Sequence, residues 1–280
     1  MRFGFQVSIT KTLNEVIKRA VERNCQTLQI FTRNPRRWVE PREFPSQEIK
    51  RFQADLKKAN ITPLIVHLPY LPNLATLDKK LFIKSVEILI SDLQQAANLG
   101  ATYVIAHTGS HLGNGLKQGI RQVVKAVNIA LSAVDNEVIL LLENQAGAGT
   151  EIGYDFSHLK EIIENVTKTS RVGICFDICH AFAAGYELSD IKGVNKTIEL
   201  FDTLIGIEKL KVIHANDSKA KLGAKIDRHA HIGMGKIGLA GFSAIVNHTW
   251  LRDTPVILET PIITIEDDVR NLKVIKSLVK

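Results

Sequence analysis

The segment Val212–Gly233, VIHANDSKAKLGAKIDRHAHIG, begins as a short apolar run and continues into a loop that is dense in histidine and aspartate. His214 closes the apolar run, and Asp227 and His229 follow within the loop. A short run of apolar residues is typical of a strand that is buried on both faces. Imidazole and carboxylate groups are the ligands that zinc and related divalent metals take in proteins. The segment therefore predicts a strand that ends at part of a metal site.

Short apolar runs like this one recur along the whole chain. Eight of them are predicted as strands: Phe3–Ser8, Thr27–Thr32, Pro63–Leu68, Tyr103–His107, Val138–Asn144, Val172–Asp177, Leu210–Asn216 and Val256–Thr260. Segments with apolar residues near helical spacing lie between them: Leu13–Arg23, Ser46–Ala59, Leu81–Leu99, Lys117–Val134, Ser157–Thr167, Val194–Ile207 and Leu239–Asn247. This alternation predicts an α/β fold with a single (β/α)8 TIM-barrel domain over residues 1–280, although an open doubly wound sheet would alternate similarly.

Composition limits the class of protein. With 45% hydrophobic and 23% charged residues, the chain of 280 residues can bury a large core. The 36 Lys and Arg against 29 Asp and Glu give a formal charge of +7, which fits a polyanionic partner but is also common on ordinary enzymes. The three cysteines are too few for a disulfide framework, and we find neither a signal peptide nor an apolar run long enough to span a membrane. We therefore expect a soluble, cytoplasmic protein with no membrane association.

Metal-ligand side chains close six of the predicted strands. These residues are His67, His107, Glu143, Asp177, His214 and Glu259. In a barrel the carboxyl ends of the strands converge on one face, so the six would meet there, joined by His180, Asp227 and His229 from the following segments. A single catalytic zinc takes three protein ligands and a water, so nine ligands indicate two or three metals, with Glu143 or another carboxylate as a bridge.

Five blocks of the sequence resemble endonuclease IV, and together they extend over nearly the whole chain. They are HLPYLPNL at His67–Leu74, HTGSH at His107–His111, ENQAG at Glu143–Gly147, FDICHAFAAGY at Phe176–Tyr186, and NDSK with DRH at Asn216–Lys219 and Asp227–His229. That family comprises zinc-dependent apurinic/apyrimidinic endonucleases of base excision repair, on a TIM barrel that carries three zinc ions. The resemblance therefore implies double-stranded DNA with abasic sites as the substrate.

The resemblance also distributes the nine residues over three metal positions. The first would use His67, His107 and Glu143; the second would use Glu143 as a bridge with Asp177, His214 and Glu259; the third would use His180, Asp227 and His229. Zinc is the expected metal, with manganese as an alternative at some positions. Leu68-Pro69, Thr108 and Ala230 depart from the usual residues of the family, but none is a ligand, so we expect them to affect metal affinity and rate more than the reaction.

Such a metal cluster suits phosphodiester hydrolysis, because it supplies a strong nucleophile and stabilises charge on phosphorus. The expected nucleophile is a hydroxide between the first two metals that attacks the phosphate 5′ to an abasic site, while the third metal stabilises the departing 3′-oxygen. The products would be a 3′-hydroxyl and a 5′-deoxyribose phosphate. Glu143 and Glu259 are the predicted catalytic residues, Glu143 as the bridge and Glu259 as a ligand that could also act as a general base.

The segment Arg33–Trp38, RNPRRW, places three arginines beside an aromatic residue after the second predicted strand. This composition suits contacts with phosphates and stacked bases, although it is also typical of a plain exposed turn. In the resembled family an Arg, a Tyr and a Leu enter the duplex at the lesion, and Arg36, Tyr70 and Leu71 occupy the matching positions. We expect these three residues to bind DNA, and a monomer is the simplest expectation for the assembly.

Two other function classes fit parts of the pattern. A sugar isomerase or epimerase on the same barrel would use histidines and carboxylates around one or two metals, and a non-catalytic protein could bind damaged DNA. The third ligand set and the arginines argue against the isomerase, and a binding protein would need a missing ligand. We interpret Cys175 and Cys179 as small buried residues and Asp217 as a residue that orients a ligand. The remaining histidines are interpreted as ordinary core or surface residues: His111, His158, His231 and His248.

Overall fold

A closed barrel of parallel strands organises the computed structural model, which describes residues 1–262 and 264–280. The strands in these residues are β1 (Phe3–Gln6), β2 (Thr27–Ile30), β3 (Leu64–His67), β4 (Tyr103–His107), β5 (Ile139–Glu143), β6 (Val172–Asp177), β7 (Leu210–His214), β8 (Asp217–Ser218), β9 (His229–Ala230) and β10 (Val256–Leu258). β8 and β9 form a separate antiparallel pair, and the other eight close the barrel where β1 pairs with β10. The predicted (β/α)8 TIM barrel is confirmed, and the open sheet is excluded.

Helices alternate with the barrel strands. Within the described ranges they are α1 (Leu13–Glu22), α2 (Ser46–Lys58), α3 (Lys79–Leu99), α4 (Leu116–Ala133), α5 (Phe156–Asn165), α6 (Ile178–Ala184), α7 (Ile191–Leu204), α8 (Gly238–Val246) and α9 (Ile265–Ser277). None of these helices combines the length and the apolar character that a bilayer crossing needs. The predicted helices did not include α6, which is short and almost entirely buried, or α9, which begins at a capping box between Thr264 and Asp267.

Side chains along the barrel strands alternate between two apolar layers. An inner layer fills the barrel and consists of Ile65, Ile105, Leu141, Cys175, Val212 and Ile257, all fully buried. Their neighbours on the same strands, such as Leu140 and Leu142 on β5, belong to the larger core shared with the helices. Because side chains alternate with a period of two, the residue two positions after each inner residue also faces inward, but nearer the carboxyl end. Those six residues are His67, His107, Glu143, Asp177, His214 and Glu259.

Several observed strands end before their predicted limits. The predictions extended to Ser8, Asn216 and Thr260, whereas β1 ends at Gln6, β7 at His214 and β10 at Leu258. The apolar composition continues for a residue or two into the loops, so composition alone does not mark the point where the strand leaves the sheet. The polar residue at that point is the better marker, because His67, His107, Glu143, Asp177 and His214 each close a strand.

The inner layer should be a main source of stability. Replacing Leu141 by Ala removes a fully buried side chain beneath Glu143 and leaves a cavity, so we expect the free energy of unfolding to fall by about 2–5 kcal/mol. Urea unfolding of the metal-free protein measures this change. Leu200→Ala on α7, where the side chain is 40% exposed, is the matched control and should cost about 0.5 kcal/mol or less. Equal losses in the two variants would contradict the assigned layers.

Candidate metal centre

The six strand-end donors meet the other three predicted ligands at the carboxyl end of the barrel. Asp177 ends β6 and caps α6, because its carboxylate accepts a hydrogen bond from the backbone amide of His180 at 2.7 Å. This capping interaction places His180 one turn after Asp177 on the same side of the site. His229 is held by the short antiparallel pair, in which it lies opposite Ser218, and Asp227 precedes it on an exposed loop. Each of the nine residues belongs to a group of potential metal-binding atoms within 4.8 Å of one another.

The Glu143 carboxylate lies at the centre of these groups. Its Oε2 is 3.2 Å from His67 Nε2 and 3.1 Å from His107 Nε2. Its Oε1 is 3.0 Å from His214 Nδ1 and 3.4 Å from His180 Nδ1. Because Oε2 faces the Nε2 atoms of His67 and His107 whereas Oε1 faces His214 Nδ1, the two oxygens could serve two different ions.

Asp177 and Glu259 join His214 to complete the group around the Oε1 side of Glu143. His214 Nδ1 is 3.3 Å from Glu259 Oε2 and 3.9 Å from Asp177 Oδ2. The four ligand atoms of Glu143, Asp177, His214 and Glu259 all lie within 4.8 Å of one another. This group therefore offers three carboxylates and one imidazole to a single position.

The third group is built around Asp227. Its two oxygens are 3.4 Å from His180 Nε2 and 3.2 Å from His229 Nε2. His229 Nε2 also lies 3.9 Å from Asp177 Oδ2, so this group adjoins the one around Glu143. In contrast to the strand-end donors, Asp227 is half exposed at its side chain.

Backbone carbonyls occupy the other ring nitrogen of three histidines. His67 Nδ1 contacts Leu68 O at 2.6 Å, His180 Nδ1 contacts Asn144 O at 2.9 Å, and His229 Nδ1 contacts Glu259 O at 3.1 Å. A carbonyl oxygen can only accept, so each Nδ1 carries the proton and each Nε2 presents its lone pair to the site in the neutral ring. Metal-binding histidines are commonly oriented in this way.

The donor atoms fit divalent metals. Two ligands at about 2.0–2.1 Å from a tetrahedral zinc lie roughly 3.3 Å apart, and the closest pairs around Glu143, His214 and Asp227 are separated by 3.0–3.4 Å. His229 Nε2 is buried and has no hydrogen-bond partner in residues 1–262 and 264–280, although Asp227 is close to it. A buried ring nitrogen that lacks a hydrogen-bond partner is free to bind a metal ion.

Electrostatics in the group follow from burial and opposite charge. Burial alone would raise the pKa of Glu143, but His214 and His107 lower this pKa well below its ordinary value. Burial alone would lower the pKa of His180, whereas Asp177 and Asp227 raise it well above the ordinary value. Against the same effect of burial, Asp227 and Asp177 raise the pKa of His229 to about 9. Without metal, therefore, carboxylates and imidazolium groups compensate one another.

Comparisons with known proteins agree with this geometry. A family profile described as a xylose isomerase-like TIM barrel matches residues 17–277. The probable endonuclease 4 of Halothermothrix orenii is 44% identical over 261 residues, which are 93% of this chain and 94% of that protein. The probable endonuclease 4 of Methanosphaerula palustris is 41% identical and is aligned over 99% of this chain and 98% of its own length.

The chain belongs to the endonuclease IV family. The resemblance found in the sequence is therefore confirmed. The crystal structure of endonuclease IV from Thermus thermophilus superposes with a TM-score of 0.88 at 32% identity, over 99% of this chain and 98% of that one. A D-tagatose 3-epimerase-like protein superposes with a TM-score of 0.75, but at 20% identity this likeness shows the shared fold alone.

Three buried amides at this end of the endonuclease IV barrel were missed by the sequence analysis. Asn144 accepts a hydrogen bond from the Asp177 amide at 2.7 Å and donates to the Asp177 carbonyl at 3.0 Å. Asn216 donates to Asp177 Oδ2 at 2.9 Å and accepts from the Glu259 amide at 2.8 Å. Both lie within two residues of a strand-end donor, a spacing that could have identified them. Gln29 on β2, the third amide, contacts His214 and Glu259 and stands far from any ligand in sequence.

The predicted DNA-binding residues lie beside the centre, but their neighbour Arg33 does not join them. Arg36 and Tyr70 are exposed and Leu71 is half-buried. The Tyr70 ring lies 6.1 Å from the His107 ring, at the edge of the site. The expectation that the arginines of Arg33–Trp38 suit contacts with phosphates fails for Arg33, because it is buried in an ion pair with Asp92 at 2.8 Å. The sequence around Arg33 gives no indication of this ion pair, because its partner Asp92 lies 59 positions away.

The two cysteines, Asp217 and His231 were assigned structural roles or no role in the sequence, and each is packed or hydrogen-bonded in the structure. Cys175 is part of the inner layer, where burial raises its pKa to about 12. Cys179 is also buried, which raises its pKa, yet its sulfur lies within 4.8 Å of the donor atoms of Asp177 and His229. Asp217 accepts hydrogen bonds from the backbone amides of residues 218, 235, 237 and 238, so it orders the loop around His229 instead of contacting a ligand side chain. The Nδ1 atom of His231 accepts from Asn271.

Metal binding should release protons near neutral pH. The raised pKa values of His180, His214 and His229 keep these rings protonated at pH 7.5 in the metal-free protein, whereas a metal binds only the neutral ring. We expect more than one proton to be released per chain on zinc binding at pH 7.5, and fewer as the pH rises through and beyond 9, because His229 then loses its proton before the metal binds. Calorimetric zinc titrations in buffers with different ionisation enthalpies measure this number. Three histidines with ordinary pKa values would together release only about 0.3 protons at pH 7.5, and such a result would contradict the assigned charges.

Proposed function

We propose that this chain is a metal-dependent apurinic/apyrimidinic endonuclease of base excision repair. It would hydrolyse the phosphodiester 5′ to an abasic site in double-stranded DNA and leave a 3′-hydroxyl and a 5′-deoxyribose phosphate. The observation that carries the proposal is the convergence of nine metal-ligand side chains at one end of the barrel. Membership of the endonuclease IV family and the formal charge of +7 support DNA as the substrate.

Three zinc ions are proposed for this centre, with manganese as an alternative at some positions. The first position would be held by His67, His107 and Glu143; the second by Glu143, Asp177, His214 and Glu259; the third by His180, Asp227 and His229. The mixture of imidazole and carboxylate ligands supports zinc, and it is also compatible with manganese. When bound, the metals would supply an activated water and stabilise the negative charge of the reacting phosphate. All nine side chains come from one chain, which supports a monomer as the active form.

Glu143 and Glu259 are the proposed catalytic carboxylates, with different tasks. Glu143 is fully buried between four imidazoles, so it is proposed to hold the first two positions at a fixed separation. Glu259 is less enclosed, with 17% of its side chain exposed, and its Oε2 faces His214. It is proposed to bind metal and, where a proton must leave the attacking water, to accept it.

Arg36, Tyr70 and Leu71 are proposed to bind the duplex at the lesion. The backbone amide of Tyr70 donates to the carbonyl of Pro35 at 3.0 Å, which joins the two loops that carry these residues. The Tyr70 ring packs edge-on against Phe31 at 5.6 Å and leaves about half of its surface exposed. An exposed aromatic ring, an aliphatic side chain and a guanidinium beside one another suit insertion into a base stack and contact with its phosphates.

The proposed activity can be tested on a duplex that carries one synthetic abasic site. We expect the purified protein to contain about three zinc equivalents, to cut the strand so as to leave 3′-hydroxyl ends, and to lose this activity with chelator. Glu259→Gln should lower metal affinity or activity by about 10- to 100-fold. Strand-end analysis and elemental analysis provide the measurements.

The matched control is Glu164→Gln on α5, which changes an exposed glutamate that forms an ion pair with Lys160 at 3.8 Å. It should retain full metal and full activity. One or two metals with no cleavage of the abasic duplex would overturn the proposed function. Full activity with full metal in Glu259→Gln would instead remove both roles assigned to that residue.

Loss of the Leu71 side chain should affect DNA binding and leave the metals in place. In Leu71→Ala we expect KM for the abasic duplex to rise about tenfold, which corresponds to about 1.4 kcal/mol, because the aliphatic insertion is lost. The zinc content should stay that of the wild type. Leu200→Ala, an exposed leucine on α7, is the control for a leucine away from the site. Wild-type binding and cleavage by Leu71→Ala would show that Leu71 has been assigned wrongly.

A further inference from the structure

Near the carboxyl ends of β1 and β2 the inward-facing side chains are amides, whereas the other six barrel strands place metal-ligand side chains at or just after their ends. These amides are Gln6 on β1 and Gln29 on β2, which lie opposite each other in register. Gln29 also lies opposite Ile65 of the inner layer and is fully buried, so its side chain faces the interior of the barrel. Gln6 and Gln29 therefore complete the ring of inward side chains at the carboxyl end.

The Gln29 amide contacts two predicted ligands of the same metal position. Its Nε2 donates to Glu259 Oε1 at 2.7 Å, and its Oε1 is 2.9 Å from His214 Nε2. Chemistry fixes this orientation of the amide, because the reverse orientation would place an oxygen against the Glu259 carboxylate. With its oxygen facing His214, Gln29 requires a proton on His214 Nε2.

Each contact with Gln29 engages one polar atom of a predicted ligand. The other atom, His214 Nδ1 or Glu259 Oε2, is left directed at the proposed second metal position. A proton on Nε2 leaves the lone pair of the neutral ring on His214 Nδ1, the atom that lies 3.0 Å from Glu143 Oε1. Glu259 Oε1 is engaged by Gln29, so Oε2, which lies 3.3 Å from His214 Nδ1, remains for a metal. One neutral side chain thus sets a ring tautomer and a carboxylate orientation together.

We propose that Gln29 is a positioning residue that presents His214 Nδ1 and Glu259 Oε2 to the second metal position. The proposal rests on the metal-dependent function proposed for this centre. A glutamine suits the task because it offers a donor and an acceptor at the end of one side chain without adding charge. Glutamate offers two acceptors when ionised and would repel Glu259, whereas methionine keeps the length and offers neither hydrogen bond.

The first test compares zinc affinities of Gln29→Met and Gln118→Met by competition with a chromogenic chelator. In Gln29→Met we expect one zinc equivalent to bind about 10- to 100-fold more weakly, because both orienting hydrogen bonds are lost. Gln118→Met is the matched control, since it makes the same change at an exposed glutamine on α4, away from the barrel interior. It should bind zinc like the wild type. Wild-type zinc affinity in a folded Gln29→Met protein would overturn the proposal.

The second test uses Gln29→Glu, whose protonated carboxyl group restores one donor and one acceptor. Its zinc dissociation constant, divided by that of the wild type at the same pH, should therefore rise as pH increases and this donor ionises. A loss of packing alone would give a ratio that does not change with pH, and that outcome would overturn the proposal even if Gln29→Met failed to fold. Zinc titration requires no DNA, so a wild-type protein that failed to cut abasic duplexes would refute the proposed function and leave this test intact.

Discussion

Burial of the Glu143 carboxylate among histidines is the interaction on which the rest of the centre depends. A fully buried carboxylate without partners would be costly, and here four imidazole nitrogens lie within 3.4 Å of its two oxygens. Those nitrogens come from β3, β4, β7 and α6, so the charge of one residue ties together elements from most of the barrel. The closed sheet makes this possible, since it brings strand ends that are distant in sequence to one place. In this region, therefore, the contacts that assemble the candidate centre also hold the barrel elements together.

The fold could be predicted because the same strand-and-helix pattern recurs along the sequence. Eight apolar runs with helical segments between them indicated the barrel, and the polar residues that close the runs marked the strand ends more accurately than the apolar composition did. The helix α6 escaped the same analysis because residues 178–183 are all buried, which removes the alternation of polar and apolar faces that identifies a surface helix. The beginning of α9 carries a recognisable capping box, so that omission was avoidable.

The candidate site could be predicted where the type of a residue alone indicates a chemical role. Histidine, aspartate and glutamate at strand ends are unusual enough to be noticed one by one, and all nine lie together in the structure. Residues that act through a partner give no such signal. Gln29 is an ordinary polar residue in the sequence, and only its contacts with His214 and Glu259 distinguish it. For Arg33 the sequence suggested a role that the structure does not support, because a basic residue in a basic segment gives no indication that it is buried in an ion pair with Asp92.

The nine donors differ in the kind of backbone that carries them. Six lie at or just after the ends of the barrel strands and His180 lies on α6, whereas Asp227 and His229 lie at the end of a loop whose residues 219–228 are nearly all exposed and which is closed by a two-residue antiparallel pair. Segments with little buried surface open locally at low free energy, without unfolding of the rest of the molecule. Local opening of this loop would therefore dismantle the third group and leave the other two assembled. The candidate centre is modular in this sense: two groups of donor atoms depend on the barrel strands, and the third depends on α6 and on the order of a single loop.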